Sequence, residues 1–197
     1  KPPISSRVHS GEGNLIAEYA LQKRLFIPYD SIPKKVVFSF LSAEDKNFFS
    51  HPGVDAKSIT RAIIKNLKNI FSNKRLEGAS TITQQVAKNF LLTNEVSVKR
   101  KIKEAILAFR IERAYSKERI MELYLNQIYL GAGTYGVAAA SLEYFDKGVN
   151  ELNYEEAALL AALPRAPSKY NPYKSKKRAK QRRDFVLKNL YENSYIN

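Results

Sequence analysis

The stretch Val36-Val37-Phe38-Ser39-Phe40-Leu41-Ser42-Ala43-Glu44-Asp45-Lys46-Asn47-Phe48-Phe49-Ser50-His51-Pro52-Gly53 decides how this chain is read. Val37, Phe40, Leu41, Glu44 and Phe48 recur at three- and four-residue steps, the spacing that lines one face of an α-helix. The helix follows Ile32-Pro33, and Pro52-Gly53 closes the stretch in a turn. Glu44 is the anomaly, because a carboxylate on an apolar stripe points toward the core or a cleft and is costly there without a partner or a task. Both a structural ion pair and a catalytic role fit it at this point. Asp45 is its neighbour in sequence, but successive helical residues do not face each other, so the two do not form a proton-sharing dyad. Taken alone, His51 reads as a hydrogen-bonded turn residue. Ser50-His51 does not indicate a nucleophilic triad, since triads are assembled in space.

Upstream, Ser5-Ser6-Arg7-Val8-His9-Ser10 and Leu15-Ile16-Ala17-Glu18-Tyr19 read as two short strands around the turn Gly11-Glu12-Gly13-Asn14. Downstream, Asp55 is placed as the N-cap of a second helix whose stripe is Ile59, Ala62, Ile63, Leu67, Ile70 and Phe71, with Lys65 and Lys68 off it. The basic break Asn73-Lys74-Arg75 follows. Further helices are expected over Ser80–Phe90, Ser97–Ala114, Ser116–Tyr129, Asn153–Leu163 and Ala179–Glu192, punctuated by Gly131-Ala132-Gly133, Pro164, Pro167 and Pro172. Only the hairpin region reads as strand. The expected fold class is mainly α with a small N-terminal β-hairpin.

The chain has 197 residues, which fits one domain at roughly 150 residues per domain. A hydrophobic share of 44 % and a charged share of 26 % are those of a globular protein and exclude disorder and collagen-like repeats. There is no cysteine, so disulfides, thiolate nucleophiles and cysteine-held metals are excluded. With two histidines, a zinc site would lean on carboxylates. The formal charge of +14 asks for a polyanionic partner: nucleic acid, an anionic membrane surface or a phosphate-bearing substrate. The purest apolar stretch, Ala157 to Leu163, is far shorter than the ~20 residues that cross a bilayer. No signal peptide is visible, and an opening at Lys1 with Pro2-Pro3 suggests a piece of a longer protein.

Two polar clusters stand out. On a helix, Thr81, Gln84, Gln85 and Lys88 fall at i, i+3, i+4 and i+7, one face of neutral hydrogen-bonders ending in a cation, with Ile82 and Val86 elsewhere. That face suits a polyhydroxylated or amide-bearing ligand with a phosphate at one end; the alternative is a solvated surface. Gly78 and Ser80 fit a helix N-terminus able to receive an anion. In Lys99-Arg100-Lys101-Ile102-Lys103-Glu104, a cationic group beside a carboxylate can hold a phosphate, or form an intrahelical ion pair of about 0.3–0.5 kcal/mol. Ala105-Ile106-Leu107-Ala108-Phe109 is apolar on every side and is expected to be buried. Ser116 through Gly131 looks structural, with Asn126 as its inward-turning polar residue. Lys174 through Arg183 is a charge run, either a solvated face or one that meets lipid phosphates.

In order, Glu44-Asp45-x-x-Phe48-x-x-His51-x-Gly53, Gly78-x-Ser80-Thr81-x-Thr83-Gln84-Gln85-x-x-Lys88-Asn89 and Arg100-Lys101-x-x-Glu104 resemble the peptidoglycan glycosyltransferase domain of class A bifunctional penicillin-binding proteins. Lys117 through Gly131 and Ala139-Ala140 with Tyr144-Phe145-x-Lys147 resemble that family's later motifs, so the likeness runs from about Ser6 to Ile196. Asp146 departs from it, standing where a glycine is common. The resemblance implies a lysozyme-like, two-lobed helical domain over residues 1–197. Residues 1–30 would form the hairpin segment and 55–75 a membrane-facing jaw. Residues 174–197 would form a basic helix leading toward a transpeptidase domain outside this chain.

The implied reaction polymerises lipid II into β-1,4-linked glycan with inversion, releasing undecaprenyl pyrophosphate, on the outer (periplasmic) face of the bacterial cytoplasmic membrane. The resemblance implies a single-pass membrane anchor in the full-length protein. By the same resemblance Glu44 would be the general base. Lys88, Arg100 and Lys101 would stabilise the leaving pyrophosphate. Glu104 would orient those cations or a divalent ion, magnesium or manganese. Ser80, Thr81, Gln84 and Gln85 would contact the donor, and Asp45, His51 and Asn126 would brace the groove. The partners implied are lipid II, the growing strand, the membrane surface and the transpeptidase domain, with no nucleic acid. A lysozyme-like hydrolase or lytic transglycosylase is the rival enzyme, but its substrate has no pyrophosphate to match Lys88, Arg100 and Lys101. A basic helical nucleic-acid binder explains the charge but not Glu44 on an apolar stripe.

Overall fold

Ser97, Ser116, Asn153 and Ser175 each accept, through a side-chain oxygen, a hydrogen bond from the backbone N–H three residues on, and a helix starts after each of them. Glu156 returns a bond to the Asn153 N–H and completes a capping box. The computed structural model describes residues 6–9, 15–19, 23–57, 59–61, 80–91 and 97–197. Within them lie β1 (Ser6–His9), β2 (Leu15–Tyr19), β3 (Lys23–Arg24), α1 (Lys34–Glu44), α2 (Ile82–Leu91), α3 (Val98–Ala114) and α4 (Lys117–Gln127). Then come β4 (Tyr129–Gly131), β5 (Thr134–Tyr135), α5 (Val137–Phe145), α6 (Tyr154–Ala162), α7 (Pro167–Tyr170) and α8 (Lys176–Glu192).

α6 is apolar on nearly every side, and such a helix is stable only when surrounded. Ala157, Ala158, Leu160, Ala161, Ala162 and Leu163 are all fully buried. Its alanines let α1 and α8 approach closely, and these three helices pack against one another. Each fully buried Leu or Phe contributes roughly 1.5–3 kcal/mol, so this contact fixes α1 and the carboxylate at its end. A second packing group sets α2 against α3 and α4. Ile82, Ile120, Met121, Tyr124 and Leu125 are fully buried and join it to the same core.

The mainly helical class is as expected, and β1 and β2 pair antiparallel as the hairpin reading requires. The turn Gly11–Asn14 lies outside the described residues. So do residues 62–79, with most of the expected second helix, the jaw and the basic break; residues 56, 57 and 59–61 are helical.

The structure corrects several expectations. Strand is not confined to the hairpin: β4 pairs antiparallel with β5, which pairs parallel with β3. Strands of two or three residues are too short for an alternating pattern. The expected Ser116–Tyr129 helix stops at Gln127 because the chain turns into this sheet, with Gly131, Ala132 and Gly133 all at positive φ. α5 was not anticipated from periodicity. It ends at Asp146 in the left-handed conformation, φ 54°, which Asp tolerates better than most residues, so the departure from glycine keeps the turn. Finally, α1 stops at Glu44, and Phe48 is buried from the turn beyond it.

Candidate active site

Glu44 is the last residue of α1, and Asp45 terminates the helix with its N–H bonded to the Leu41 carbonyl. The Asp45 carboxylate then gathers two elements. Its Oδ2 accepts the Ile82 N–H, the first amide of α2, at 3.0 Å, a favourable place for an anion because amides there lack helical partners and carry partial positive charge. His51 Nε2 lies 3.0 and 2.9 Å from the two Asp45 oxygens. His51 Nδ1 accepts from the Gly53 N–H at 3.1 Å, so Nε2 carries the proton and donates to Asp45.

Gly53 itself has φ +99°, and a Cβ there would lie 2.9 Å from the Ala108 carbonyl oxygen. Only glycine lets this loop rest on α3. Its carbonyl accepts from Thr81 Oγ1 at 2.6 Å. Thr81 and Gln84 form a capping box at the start of α2: Thr81 Oγ1 accepts from the Gln84 N–H and Gln84 Oε1 from the Thr81 N–H.

Two corrections follow for the expected ligand face. Thr81 and Gln84 are 2 % and 3 % exposed, and their polar atoms cap α2 and hold the loop instead of presenting a surface. Gln85 and Lys88 remain. Gln85 donates from Nε2 to Glu44 Oε2 at 2.8 Å, and Lys88 is exposed one turn on. Asn126 is likewise a brace, tied to the Ile27 N–H and carbonyl at 2.8 Å each. Asp45 and His51 are buried by the bonds above and act as frame.

Lys101 Nζ donates to Ser80 Oγ at 2.7 Å and to the buried carboxylate of Glu104. Arg100 is half-buried, with its Nε enclosed and lacking a hydrogen-bond partner. Among the described residues, Lys88 and Arg100 make no side-chain hydrogen bond to the other expected site residues. Ala105 through Phe109 is not buried throughout, since Ile106 and Phe109 are 49 % and 44 % exposed. Together with Val98 and Ile102 they leave an apolar stripe on the outside of α3, where sequence alone could not separate an exposed apolar face from a core face. Among the described residues no three His, Asp or Glu side chains gather as metal ligands. Glu104, the residue expected to orient the cations or a divalent ion, engages Lys101.

Sequence reasoning missed a further layer. Glu112 Oε1 accepts from Thr83 Oγ1 at 2.5 Å and from Lys117 Nζ at 2.8 Å. Lys117 also donates to the His51 carbonyl at 2.7 Å and sits 4.5 Å from the Phe48 ring centroid. Arg165 and Arg182 face Glu44 electrostatically. Arg182 was hidden in a charge run, yet it stands three residues after buried Ala179 and four before buried Val186, the same stripe logic that exposed Glu44.

Burial raises the Glu44 pKa above its ordinary value. The Gln85 hydrogen bond, then Arg182 and Arg165, oppose that rise, and Asp45 adds to it. The site therefore holds a carboxylate of increased basicity that accepts from one neutral donor and feels the charge of two guanidinium groups.

The profile of the Transglycosylase family matches residues 12–191. The chain belongs to that family. As a transglycosylase domain it is 55 % identical over 195 residues to penicillin-binding protein 1A of Rickettsia felis, covering 99 % of this chain and 25 % of that relative. It is 52 % identical to penicillin-binding protein 1A of Aquifex aeolicus, covering 99 % of this chain and 26 % of that relative. The crystal structure of penicillin-binding protein 1A from Haemophilus influenzae is similar at a TM-score of 0.55 and 27 % identity, over 98 % of this chain and 19 % of that one. The transglycosylase chain thus spans about a quarter of the length of the curated relatives it matches.

Because the folded-state pKa of Glu44 is raised, its ionisation weakens the fold: the contribution is favourable below the unfolded pKa and lost as pH rises through the folded one. Glu44→Gln should therefore raise the melting temperature at neutral pH above that of the wild type. Thermal melts across pH should show the gain shrinking below the ordinary Glu range.

Proposed function

We propose that this domain is a peptidoglycan glycosyltransferase that polymerises lipid II, with Glu44 as general base. The observation that carries the reading is a half-buried carboxylate of raised basicity, fixed at a helix end by Gln85. Glu44 removes the proton from the acceptor 4-hydroxyl as that oxygen attacks the donor's anomeric carbon. The bond from that carbon to the pyrophosphate breaks, and the leaving group takes the electron pair. Attack opposite an α-linked leaving group gives a β-1,4 bond in one step, so no covalent enzyme intermediate is needed. The product released is undecaprenyl pyrophosphate.

Lys101, oriented by Glu104 and Ser80, with Arg100 and Lys88, supplies positive charge where the leaving group becomes more negative. A hydrolase would activate water with the same Glu44, but would gain nothing from Lys88, Arg100 and Lys101.

The membrane surface is the second partner in this reading, at the outer face of the cytoplasmic membrane. A single-pass anchor and a transpeptidase domain in the longer chain complete it. Among the described residues no helix is long and apolar enough to cross a membrane. The exposed stripe Val98, Ile102, Ile106 and Phe109 supports peripheral contact instead. On a helical wheel Lys99, Lys103 and Arg110 flank it on one side and Lys101 on the other, the arrangement of an interfacial helix on anionic lipid. Contact there would set the height of Lys101 above the bilayer, where a lipid-linked pyrophosphate resides.

Incubation with lipid II in detergent, with products separated before and after muramidase, tests the enzyme reading. Muramidase-sensitive chains from the wild type, and a loss of at least about a hundredfold in Glu44→Gln, are expected. Cleavage of preformed glycan without polymer would favour the hydrolase. For the membrane contact, Ile102→Glu with Ile106→Glu should weaken sedimentation with anionic vesicles severalfold while leaving the circular dichroism spectrum unchanged.

A further inference from the structure

Lys117 is the first residue of α4, at the end of a helix where partial positive charge favours an anion. It is also largely withdrawn from water, its side chain 18 % exposed against 9 % for its partner Glu112. Neither circumstance suits an ammonium group. A buried ion pair is not in itself stabilising either, because apolar side chains of similar volume often serve as well. Stability therefore does not account for a lysine at this position, and the mechanism above does not use it.

What Lys117 does that an apolar side chain could not is to bond in two directions. Its Nζ donates to the His51 carbonyl at 2.7 Å and to Glu112 Oε1 at 2.8 Å, and it lies 4.5 Å from the Phe48 ring centroid. Phe48 and His51 belong to the turn that leaves Glu44. Glu112, near the end of α3, accepts from Thr83 of α2 at 2.5 Å through the same oxygen. The loop rests on Glu112 as well, since a Cβ at Gly53 would lie 3.0 Å from its Cγ. The junction of α3 and α4 thus holds the turn after the base on one side. On the other it holds the first turn of α2, two residues before the Gln85 that donates to Glu44.

We propose that Lys117 is a positioning residue for Glu44. Its bond to the His51 carbonyl fixes the turn in which His51 donates to Asp45, and Asp45 receives the Ile82 amide of α2. Without that tether the turn and α2 shift against each other, and the Gln85 bond no longer sets one place for the carboxylate. The base then meets the acceptor hydroxyl less often in reacting geometry.

The proposal rests on the base reading of Glu44, and its test has one arm that does not need activity. Lys117→Met alone would strand the Glu112 charge, so the variant is Lys117→Met with Glu112→Gln, in which the amide oxygen of the new side chain can still accept from Thr83. By NMR hydrogen exchange, the Gly53 and Ile82 amides, which donate to His51 and Asp45, should exchange at least about tenfold faster than in the wild type, while core amides of α6 and α8 keep their rates. Unchanged exchange at Gly53 and Ile82, or one uniform acceleration throughout the chain, overturns the proposal whether or not the protein polymerises lipid II. In the polymerisation assay the double variant should lose about ten- to a hundredfold in kcat, with KM within about twofold. A rise in KM at unchanged kcat would show that Lys117 serves substrate binding and overturns the positioning role. Absence of polymer from the wild type would fail the enzymatic reading, with the exchange arm still deciding whether Lys117 holds the turn.

Discussion

The Asp45 carboxylate is the interaction on which the rest of this site depends. Asp45 ends α1 through its backbone, and its side chain receives the first amide of α2 and holds His51, whose other ring nitrogen takes the Gly53 N–H. Gly53 in turn rests on α3 and receives Thr81. These bonds bring the end of one helix and the start of another together across 37 residues of chain, and the Gln85 amide reaches Glu44 as a consequence. Asp45 is next to Glu44 in sequence but does different work: it builds the frame, and the frame places the base.

The same arrangement shows where the fold gives up stability for chemistry. A carboxylate at an exposed helix end would be comfortable and weakly basic. Here burial raises its basicity, and one amide and two arginines keep the ionised form accessible. Lys101 is oriented by Ser80 and by Glu104, so each acidic residue of the proposed chemistry is coupled to a named neutral or cationic partner. Strain of this sort belongs to functional sites, which depart from the local rules that the rest of the chain follows.

Much of this was legible in the sequence. The stripe of Val37, Phe40, Leu41 and Glu44 gave both the helix and its anomaly, and Ser97, Ser116 and Asn153 marked helix starts to within a residue. What periodicity could not resolve was orientation and purpose. Thr81 and Gln84 share a helical face with Gln85 and Lys88, yet a capping box turns them inward, a distinction that depends on where α2 begins. Ile106 and Phe109 look like core residues because an outward apolar face has the same spacing as an inward one. The three-stranded sheet was invisible because its strands are too short for a pattern, and Arg182 was masked by the cations around it.

The pH dependence of kcat/KM for lipid II polymerisation tests the central claim most directly, because a half-buried Glu44 acting as base must be ionised in the free enzyme for the reaction to proceed. The account predicts a rate that rises with pH along an acid limb whose midpoint lies above the ordinary Glu value of about 4.3. A limb at or below that value, or a profile flat through this range, would contradict it, for the base would then be either a solvated carboxylate or another group.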